Sequence, residues 1–382
     1  MPAVALGLGA ACSRAALPAL MPVAAPFAAD SMRTTVIGPG LSLHSYWTSH
    51  GPWAVSVLAA DRAACWQAVA IKAGDQAVGR SRTSALVGSW TGPDPVGGGV
   101  NADFFAFAPP GVPTGAHVTG GRVLSGPSER PVLAFDAAGR PWIGTLATAG
   151  MVRLGAESVP LAAWNQRRGR GLRIFDRGWG RVTDSAAGVE VALGGRPLRV
   201  LEVDTARAGI VIPPDGFVIL ADSTAGASRD LLRRIRPGTP AAVRIGLQPF
   251  APREAVGGFP VLVADSQVVA GLDSAGGRNF GPVRHPRTAA GIAAGGRRLL
   301  LVVVDGRQQP YSDGMTLREL ADLMRSLGAS SAINLDGGGS TTMVAGLDSL
   351  RIVNRPSDAA GERPVANALG LVRRCEPGTG AR

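Results

Sequence analysis

Two aspartates stand directly after apolar, strand-like runs in the C-terminal part of the chain. Residues 299–304 form a continuous run rich in β-branched side chains before Asp305, and residues 332–335 form a shorter run before Asp336. Such runs are typical of strands buried on both faces, so each aspartate is expected at a strand end. Two carboxylates that face one cleft can divide acid, base and nucleophilic roles between them. Asp305 and Asp336 are therefore the candidate catalytic residues.

A glycine-rich loop follows the second aspartate. Three glycines at 337–339 come directly after Asp336, and three hydroxyl side chains at 340–342 come after the glycines. Without side chains, successive N–H groups can turn toward one point and form an anion-binding nest, to which the hydroxyls add donors. A bare triple glycine is more typical of a flexible turn. Here the preceding aspartate and the second strand-end segment at 305–307 favour a binding loop.

Two further segments carry groups that can bind an anion or a sugar. Arg284 and Arg287 flank a His-Pro pair, and a guanidinium suits bidentate binding of phosphate. Asn101 and Asp103 precede two phenylalanines, which form an apolar anchor beside these polar groups. Each segment taken alone is more typical of a capped turn or a surface ion pair. The prediction therefore depends on their occurring together.

A strand–helix–strand unit is expected to position the two aspartates. Thr316 and Glu319 occupy the positions of a capping box, and leucine and methionine follow at helical spacing until Gly328. If the flanking strands are parallel neighbours, both carboxylates leave the same edge of the sheet, where α/β sheets place their ligands. If the strands are antiparallel, the carboxylates lie at opposite ends.

The rest of the chain reads as short strands separated by Gly, Pro and Asp, for example at 53–58, 131–135, 198–203 and 216–220. No internal repeat and no low-complexity linker separates these runs. The predicted fold class is therefore α+β: a strand-rich single large fold in which the C-terminal strand–helix–strand unit forms the active-site edge.

Composition indicates a folded, basic protein. Of the 382 residues, 46% are hydrophobic and 18% are charged, which is typical of globular chains rather than disordered ones. The net charge of +11 suggests nucleic-acid binding, but the arginines are scattered and no basic run is interleaved with aromatic residues. We therefore expect no nucleic-acid partner. No run near 20 residues is continuously apolar, so no integral membrane segment is predicted.

Cysteine usage argues against a zinc site. The three cysteines lack close spacing, and no clustered D-x-D pattern indicates a divalent cation, so we predict no metal and no cofactor. If Cys12 is removed with a leader, Cys65 and Cys375 can form a disulfide between the start and the end of the fold, which an oxidising compartment permits. Two buried free thiols are the alternative.

The N-terminal segment resembles a signal peptide. Residues 1–29 are rich in Ala, Leu and Pro and end with two alanines before Asp30. Arg14 is their only basic residue, and prolines at 18, 22 and 26 interrupt the apolar stretch, so a disordered tail is the alternative. We expect an extracytoplasmic protein, secreted or associated with the cell envelope.

Taken together, five segments resemble the phosphodiester glycosidase family. They are N-A-D-F-F at 101–105, R-H-P-R-T at 284–288, V-V-V-D-G-R at 302–307, N-L-D-G-G-G-S-T-T-M at 334–343 and E-R-P-V-A-N at 362–367. The last two are the most specific, and the order and spacing of the segments suit the catalytic domain of that family. The resemblance implies hydrolysis of the bond between the anomeric carbon of a sugar and a phosphodiester, which releases the sugar and a phosphomonoester.

The resemblance also implies which residues accompany Asp305 and Asp336 in the site. The expected substrate- or phosphate-binding residues are Asn101, Asp103, Arg287, Thr288, Gly306, Arg307, Asn334, Gly337, Gly338, Gly339, Ser340, Thr341, Arg363 and Asn367. The corresponding organisation is a leader or disordered tail at 1–29, a strand-rich part that contributes N-A-D-F-F at 30–249, the phosphodiester glycosidase catalytic part at 250–374 and a tail at 375–382.

The leaving group shapes the expected mechanism. A phosphomonoester leaves as a stable anion, whereas the alkoxide that an ordinary glycosidase releases must be protonated. We therefore expect Arg287, Arg307 and the glycine loop to hold the phosphate and stabilise its charge. One of Asp305 and Asp336 would activate water or attack the anomeric carbon, and the other would bind sugar hydroxyls.

The expected partner is a sugar phosphodiester or a phosphorylated glycan, in an extracellular or cell-wall setting. Two other classes stay open from the sequence. One is a metal-dependent phosphodiesterase that breaks the phosphorus–oxygen bond, and the other is a non-catalytic binder of phosphorylated glycans. The sequence specifies neither the sugar nor the oligomeric state.

Overall fold

The computed structural model describes residue 20 and residues 26–167, 169–183, 188–205 and 209–375 of the protein. Within this part of the chain there are 26 β-strands and three α-helices. In chain order the strands are β1 (Ser31–Gly38), β2 (Leu41–Thr48), β3 (Trp53–Asp61), β4 (Trp66–Lys72), β5 (Val96–Asn101), β6 (His117–Thr119), β7 (Arg122–Ser125), β8 (Pro131–Phe135), β9 (Pro141–Thr145), β10 (Ala147–Leu154), β11 (Glu157–Pro160), β12 (Ala163–Trp164), β13 (Leu172–Phe175), β14 (Val189–Gly194), β15 (Arg199–Asp204), β16 (Phe217–Ala221), β17 (Ala241–Gln248), β18 (Glu254–Gly257), β19 (Val261–Ala264), β20 (Gln267–Val268), β21 (Arg287–Ala293), β22 (Arg298–Val304), β23 (Ala329–Asn334), β24 (Met343–Ala345), β25 (Arg351–Ile352) and β26 (Asn367–Arg373). The helices are α1 (Thr83–Gly88), α2 (Ala227–Arg234) and α3 (Leu317–Ser326).

The largest sheet has eight strands, in the order β1-β2-β3-β22-β21-β23-β19-β20. Every pairing in this central sheet is antiparallel. In β22, Leu300, Val302 and Val304 pack on one face of the sheet, and the apolar residues between them pack on the other. The predicted strand with both faces buried is therefore confirmed.

Each face of the central sheet is covered by a different layer. α3 packs on one face through apolar residues such as Leu320. A five-stranded sheet, β25-β24-β5-β26-β4, packs on the other face through residues such as Val100. Within this second sheet the strands approach so closely that a Cβ on Gly98 would lie 2.5 Å from the carbonyl oxygen of Val344, which explains the glycine. The same strand ends at Asn101.

The middle of the chain forms further β-layers. A three-stranded sheet (β10, β11, β17) and a five-stranded sheet (β12 to β16) share a core that includes Val152 and Ile174. The predicted strand-rich character is therefore confirmed. In the described chain, three of the five sheets take strands from both sides of residue 250, and a functional division at that position stays a prediction.

The strand–helix–strand unit differs from its expected arrangement. β22 and β23 are not neighbours, because β21 lies between them and pairs antiparallel with both. Two successive antiparallel steps restore the direction, so β22 and β23 run the same way and the chain leaves both at the same edge. α3 makes the crossover, and its capping box between Thr316 and Glu319 is present. Asp305 and Asp336 thus follow strands that end at the same edge of the sheet. The reason is the antiparallel strand β21 between them, and not the predicted direct pairing of parallel strands.

A disulfide joins Cys65 to Cys375. It lies beside the end of the β4–β26 ladder, where Trp66 pairs with Arg373. Of the two alternatives that the sequence left open, the structure contains the bonded one. The C-terminal end of the described chain is therefore linked covalently to an early strand.

The N-terminal boundary of the fold lies before residue 30. Phe27 is 4% exposed and its ring centroid lies 5.3 Å from that of Trp53, in the core beneath α3. Packing of this apolar side chain places part of the predicted leader or tail within the fold. Residues 1–19 and 21–25 of that segment, and 376–382 of the predicted tail, lie outside the described residues. No helix in the described part of the chain is long and apolar enough to cross a membrane.

Candidate active site

Two of the predicted segments are joined directly at the ends of their strands. The Asp336 N–H donates to the carbonyl of Ala102 (2.7 Å), and Asn101 Nδ2 donates to the carbonyl of Asp336 (2.6 Å). Asn101 Oδ1 in turn accepts from the hydroxyl of Thr288 (2.8 Å) and the N–H of Thr342 (3.1 Å). Asn101 and Thr288 are fully buried, so both brace neighbouring strands instead of projecting into a cleft.

Asp103 follows in a buried, hydrogen-bonded position. Its Oδ1 accepts from the hydroxyl of Thr114 (3.2 Å) and its Oδ2 from the N–H of Gly115 (2.7 Å). Its own N–H donates to Asn367 Oδ1 (2.9 Å), whose Nδ2 donates to His117 Nδ1 (2.9 Å). Asn367, which the sequence predicts as a ligand, therefore holds the backbone of Asp103 in place.

Asp103 and Asp336 form an electrostatically coupled pair. Burial raises the pKa of Asp103 to about 7, and the charge of Asp336 adds to that rise. Burial raises the pKa of Asp336 to about 6, while the charges of Arg363 and Arg130 act in the opposite direction. Asp103 is 1% exposed, whereas Asp336 is partly exposed and can reach a ligand. The sequence predicted Asp305 as the partner of Asp336, and the structure adds Asp103 as a buried acid whose pKa responds to Asp336.

Most of the amides that were predicted to form the nest are used within the protein. The Gly337 N–H donates to Oδ1 of Asp336 (2.9 Å), and the Gly338 N–H donates to the carbonyl of Pro286 (2.8 Å). Ser340, which is buried, closes the turn by donating its N–H to the carbonyl of Gly337 (3.2 Å). Because these amides are satisfied within the protein, they do not converge on an open anion site.

The glycines instead allow charged side chains to approach the loop. A Cβ on Gly339 would lie 2.0 Å from Oδ1 of Asp358 and 2.4 Å from Nη2 of Arg363, and those two side chains form a bidentate ion pair (2.8 and 3.0 Å). A Cβ on Gly338 would lie 3.3 Å from Nη2 of Arg307. Arg307 is exposed, and its Nη2 lies 3.0 Å from Nδ1 of His285.

Arg287 is committed to the protein backbone. Its Nε donates to the carbonyl of Met315 (2.8 Å), and its Nη2 donates to the carbonyls of Phe280 (2.6 Å) and Val283 (2.9 Å). Burial lowers the pKa of this guanidinium to about 10. The neighbouring Arg284 pairs with a glutamate of α3 (2.6 Å). These contacts correct the prediction that Arg287 holds phosphate: its bonded nitrogens hold the loop before β21.

Asp305 is also held by the protein. It is 3% exposed, and its carboxylate accepts from the hydroxyl of Tyr311 (3.2 Å), Nδ2 of Asn354 (2.9 Å) and the N–H of Arg355 (3.0 Å to each oxygen). Burial raises its pKa, and these hydrogen bonds act against that rise. Asp305 borders a cleft of about 290 Å³ that is lined mainly by β1, β2 and β3.

Asn354 links Asp305 to the segment after the glycines through hydrogen bonds. Its Nδ2 also donates to the carbonyl of Thr341 (3.2 Å), and its Oδ1 accepts from the N–H of Met343 (2.8 Å). Gly306, next to Asp305, is buried in a contact so tight that a Cβ would lie 2.7 Å from the Cα of a neighbouring glycine. This arrangement gives Asp305 a bracing position behind the loop.

Several buried polar atoms near the loop have no hydrogen-bond partner among the described residues. They are Oδ1 of Asn334 and the hydroxyl oxygens of Thr341 and Thr342. Buried polar groups are almost always paired, so these atoms are available to a bound molecule or to solvent. Asn334 Nδ2 donates to the carbonyl of Phe259 (2.7 Å). In the same part of the chain, no group of three or more His, Cys, Asp or Glu is arranged to hold a metal ion.

Three contributors to the site have no signal in the sequence. Arg130 acts electrostatically on both acids of the pair, and its guanidinium lies 5.3 Å and 5.2 Å from the ring centroids of Phe104 and Phe259. Thr114 and Asn354 contact Asp103 and Asp305 from separate loops. Of the residues around Arg130, the sequence indicated only Phe104, as the apolar anchor of the N-A-D-F-F segment. Thr114 and Asn354 lie in no recognisable motif.

The fold and the buried acid pair define a strand-rich protein with a polar site at one edge of its central sheet. A family model described as phosphodiester glycosidase matches residues 187–372. Residues 187–372 are therefore similar to the phosphodiester glycosidase family, and the resemblance stated from the sequence is confirmed. N-A-D-F-F at 101–105 lies outside the matched residues, although the fold brings it to the same site. No curated protein matches the chain.

Two of the similar solved structures share the fold, and a third is similar at a lower score. A hypothetical protein from Synechocystis has a TM-score of 0.75 at 22% identity, over 91% of this chain and 64% of that one. A candidate exported protein from Burkholderia pseudomallei K96243 has a TM-score of 0.65 at 29% identity, over 84% and 74% of the two chains. The zebrafish N-acetylglucosamine-1-phosphodiester alpha-N-acetylglucosaminidase catalytic domain, auto-inhibited by its pro-peptide, has a TM-score of 0.47 at 14% identity, over 91% and 89%. The protein thus spans about two thirds of the length of the Synechocystis protein.

Proposed function

We propose that this protein is a hydrolase that cleaves the glycosidic bond of a sugar 1-phosphodiester and releases the sugar and a phosphomonoester. The observation that carries the proposal is the pair of acids Asp103 and Asp336, which follow two strand ends that are joined by the 2.7 Å hydrogen bond from the Asp336 N–H to the carbonyl of Ala102. Its partly exposed member has a pKa of about 6, close to neutral pH. The family match over residues 187–372 supports the choice of bond.

In the proposed reaction Asp336 is the base. Its carboxylate takes a proton from water, the water oxygen forms the new bond to the anomeric carbon, and the bond from that carbon to the phosphate oxygen breaks. The electron pair of the broken bond stays on the phosphate, which leaves as an anion and needs no proton. Asp103, which is buried and has a pKa of about 7, acts on the reaction only through its electrostatic interaction with Asp336.

The phosphate is assigned to Arg130 and Arg363. The charges of both cations lower the pKa of Asp336, which favours a phosphate bound close to this acid. Preorganised cations that face developing negative charge lower the barrier because they need no rearrangement during the reaction. Arg307, which lies next to Gly338, stays a predicted phosphate ligand. Asp305 is assigned a positioning role, because it accepts a hydrogen bond from Asn354.

We also propose an extracytoplasmic location. The Cys65–Cys375 disulfide is compatible with an oxidising compartment, and the Burkholderia relative carries the description of an exported protein. Intact-mass measurement on protein from the native host tests this point. A shortened N-terminus with the two cysteines bonded supports export, and a full-length chain with reduced thiols overturns it.

The position of solvent oxygen tests which bond breaks. Sugar 1-phosphodiesters, with N-acetylglucosamine and glucose as the sugars, are hydrolysed in oxygen-labelled water, and both products are weighed by mass spectrometry. Label on the sugar, unchanged by excess chelator, is the expected result. Label on the phosphomonoester would mean attack at phosphorus, as in a metal-dependent phosphodiesterase, and would overturn the proposal.

A further inference from the structure

A large cleft borders the proposed site. Its volume is about 920 Å³, and its wall includes Thr114 and Arg130. Thr114 donates to Asp103, and Arg130 acts on both acids of the pair, so the cleft and the acid pair share these two residues. A single phosphate group fills only a small part of such a volume, which is in the range of sites for whole small molecules.

The walls of the cleft combine apolar surface with positive charge. Val112, Pro113 and Leu146 belong to its apolar part. Arg167 and Arg170 also line the cleft, and Arg167 donates to the carbonyl of Ala108 (2.8 Å). Together with Arg130, three arginines line the cleft and Glu129 is the one acid among its described lining residues. The Arg170 side chain is exposed, and a guanidinium of this kind suits a phosphate or carboxylate.

We infer that the cleft binds the alcohol side of the phosphodiester, and that this group has an apolar body and carries a second anionic group held by Arg170. The inference rests on the proposed function, because it places the scissile phosphate between Arg130 and Arg363 and lets the alcohol continue past Arg130 into the cleft. The apolar wall then contacts the body of the alcohol. Arg170, which also lines the cleft, contacts its second charge.

A matched pair of substrates tests the inference. Both contain the same sugar 1-phosphate esterified to a six-carbon alcohol, which ends in a methyl group in one substrate and in a phosphate in the other. We expect kcat/KM of the wild type to be about tenfold higher for the phosphate-ended substrate, the size of one charge-assisted contact. Equal values for the two substrates overturn the inference and leave the proposed function intact.

Two substitutions localise the effect. Arg170→Gln is expected to remove the preference, so that kcat/KM becomes equal for the phosphate-ended and the methyl-ended substrate. Arg233→Gln, at an exposed arginine in the last turn of α2, is the control and is expected to keep the preference. A preference that survives Arg170→Gln overturns the assignment of the second charge to Arg170.

A binding measurement separates failure of the inference from failure of the proposed function. A six-carbon chain that carries phosphate at both ends is titrated calorimetrically into wild type and Arg170→Gln. The same chain with phosphate at one end and methyl at the other is titrated alongside. The inference predicts about tenfold tighter binding of the doubly charged compound, lost in Arg170→Gln. No sugar release from either substrate contradicts the proposed function, whereas equal binding of the two compounds contradicts the inference alone.

Discussion

Asp336 is the residue on which the proposed chemistry depends most directly. We expect Asp336→Asn to lower kcat by at least ~100-fold, the usual scale for losing a general base. The amide keeps the oxygen that accepts from the Gly337 N–H, so the melting temperature should stay close to that of the wild type. Steady-state kinetics and a thermal melt on the same preparation check both statements. Full activity in a well-folded variant would remove Asp336 from the mechanism.

Asp305 should respond in the opposite way. In Asp305→Asn an NH2 group replaces one oxygen that accepts from Arg355 and from Tyr311 or Asn354, so a buried donor loses its acceptor. Such a loss costs about 1–3 kcal/mol, and the melting temperature should fall. The remaining folded protein should keep measurable turnover. A catalytic Asp305 would instead give an inactive variant that melts like the wild type.

The raised pKa values of the acid pair make both activity and stability depend on pH. Activity should rise as the pH increases through about 6, because Asp336 acts in its ionised form. Stability should change in the other direction. A carboxyl with a raised pKa in the folded state contributes stability that is present below its unfolded pKa of about 4, and this contribution is lost as the pH rises through about 6 to 7.

Melting temperatures between pH 4 and pH 8 check this sign. Asp336→Asn should show a shallower decline than the wild type, and Asp322→Asn, at a partly exposed carboxylate on α3, should follow the wild type. A wild type whose stability rises over this window because of Asp336 would contradict the assignment of a buried, destabilised carboxylate.

At the scale of elements, sequence and structure both indicate that the glycine loop is important. They give different reasons for the presence of glycine in it. The sequence predicts glycine because amides must converge, whereas the structure requires Gly339 because Asp358 and Arg363 occupy the space of a side chain. Gly339→Ala should displace the ends of these two flexible side chains. We expect at least a tenfold loss of kcat/KM with little change in melting temperature.

A matched glycine serves as the control for that substitution. Gly246 lies in β17, and a Cβ there meets no atom within 4 Å, so Gly246→Ala should leave activity unchanged. Its stability should be equal or slightly higher, because alanine restricts the unfolded chain. If both variants lose activity equally, the space beside Gly339 is not the reason.

Strand ends could be predicted from the sequence, but their partners could not. The apolar runs before Asp305 and Asp336 locate two strand ends because periodicity and β-branching report burial along one strand. Nothing in either run encodes that β21 inserts between the two strands. The partner of Asp336 therefore comes from a strand end more than 230 residues earlier in the chain, at Asp103. Long-range pairing of this kind depends on packing of whole layers, which local patterns do not record.

At the scale of the whole molecule, both ends of the described chain enter the same structure. The strands β1, β2 and β3 extend the central sheet beside β22, and β26 lies between β5 and β4. The strand-rich class could be predicted from composition and short β-prone runs. The joining of residues 31–101 with the C-terminal motifs could not, because neither segment alone carries a signal for the other. The site consequently depends on contacts that close only when the chain has folded as a unit.

The Cys65–Cys375 disulfide should stabilise this arrangement without taking part in the chemistry. It closes a loop of 310 residues, and cross-links across long loops reduce the freedom of the unfolded chain most. We expect the double variant Cys65→Ser, Cys375→Ser to lose about 2–5 kcal/mol of unfolding free energy. Well below its melting temperature the double variant should keep kcat. Arg373 and Asn367 lie at opposite ends of β26, about 20 Å apart at the usual rise per strand residue, and only Asn367 contacts Asp103.

Urea unfolding with and without reductant measures the difference: reductant should destabilise the wild type and leave the double variant unchanged. A wild type that is indifferent to complete reduction would show that the bond adds no stability, and a loss of kcat in the folded double variant would connect it to the site.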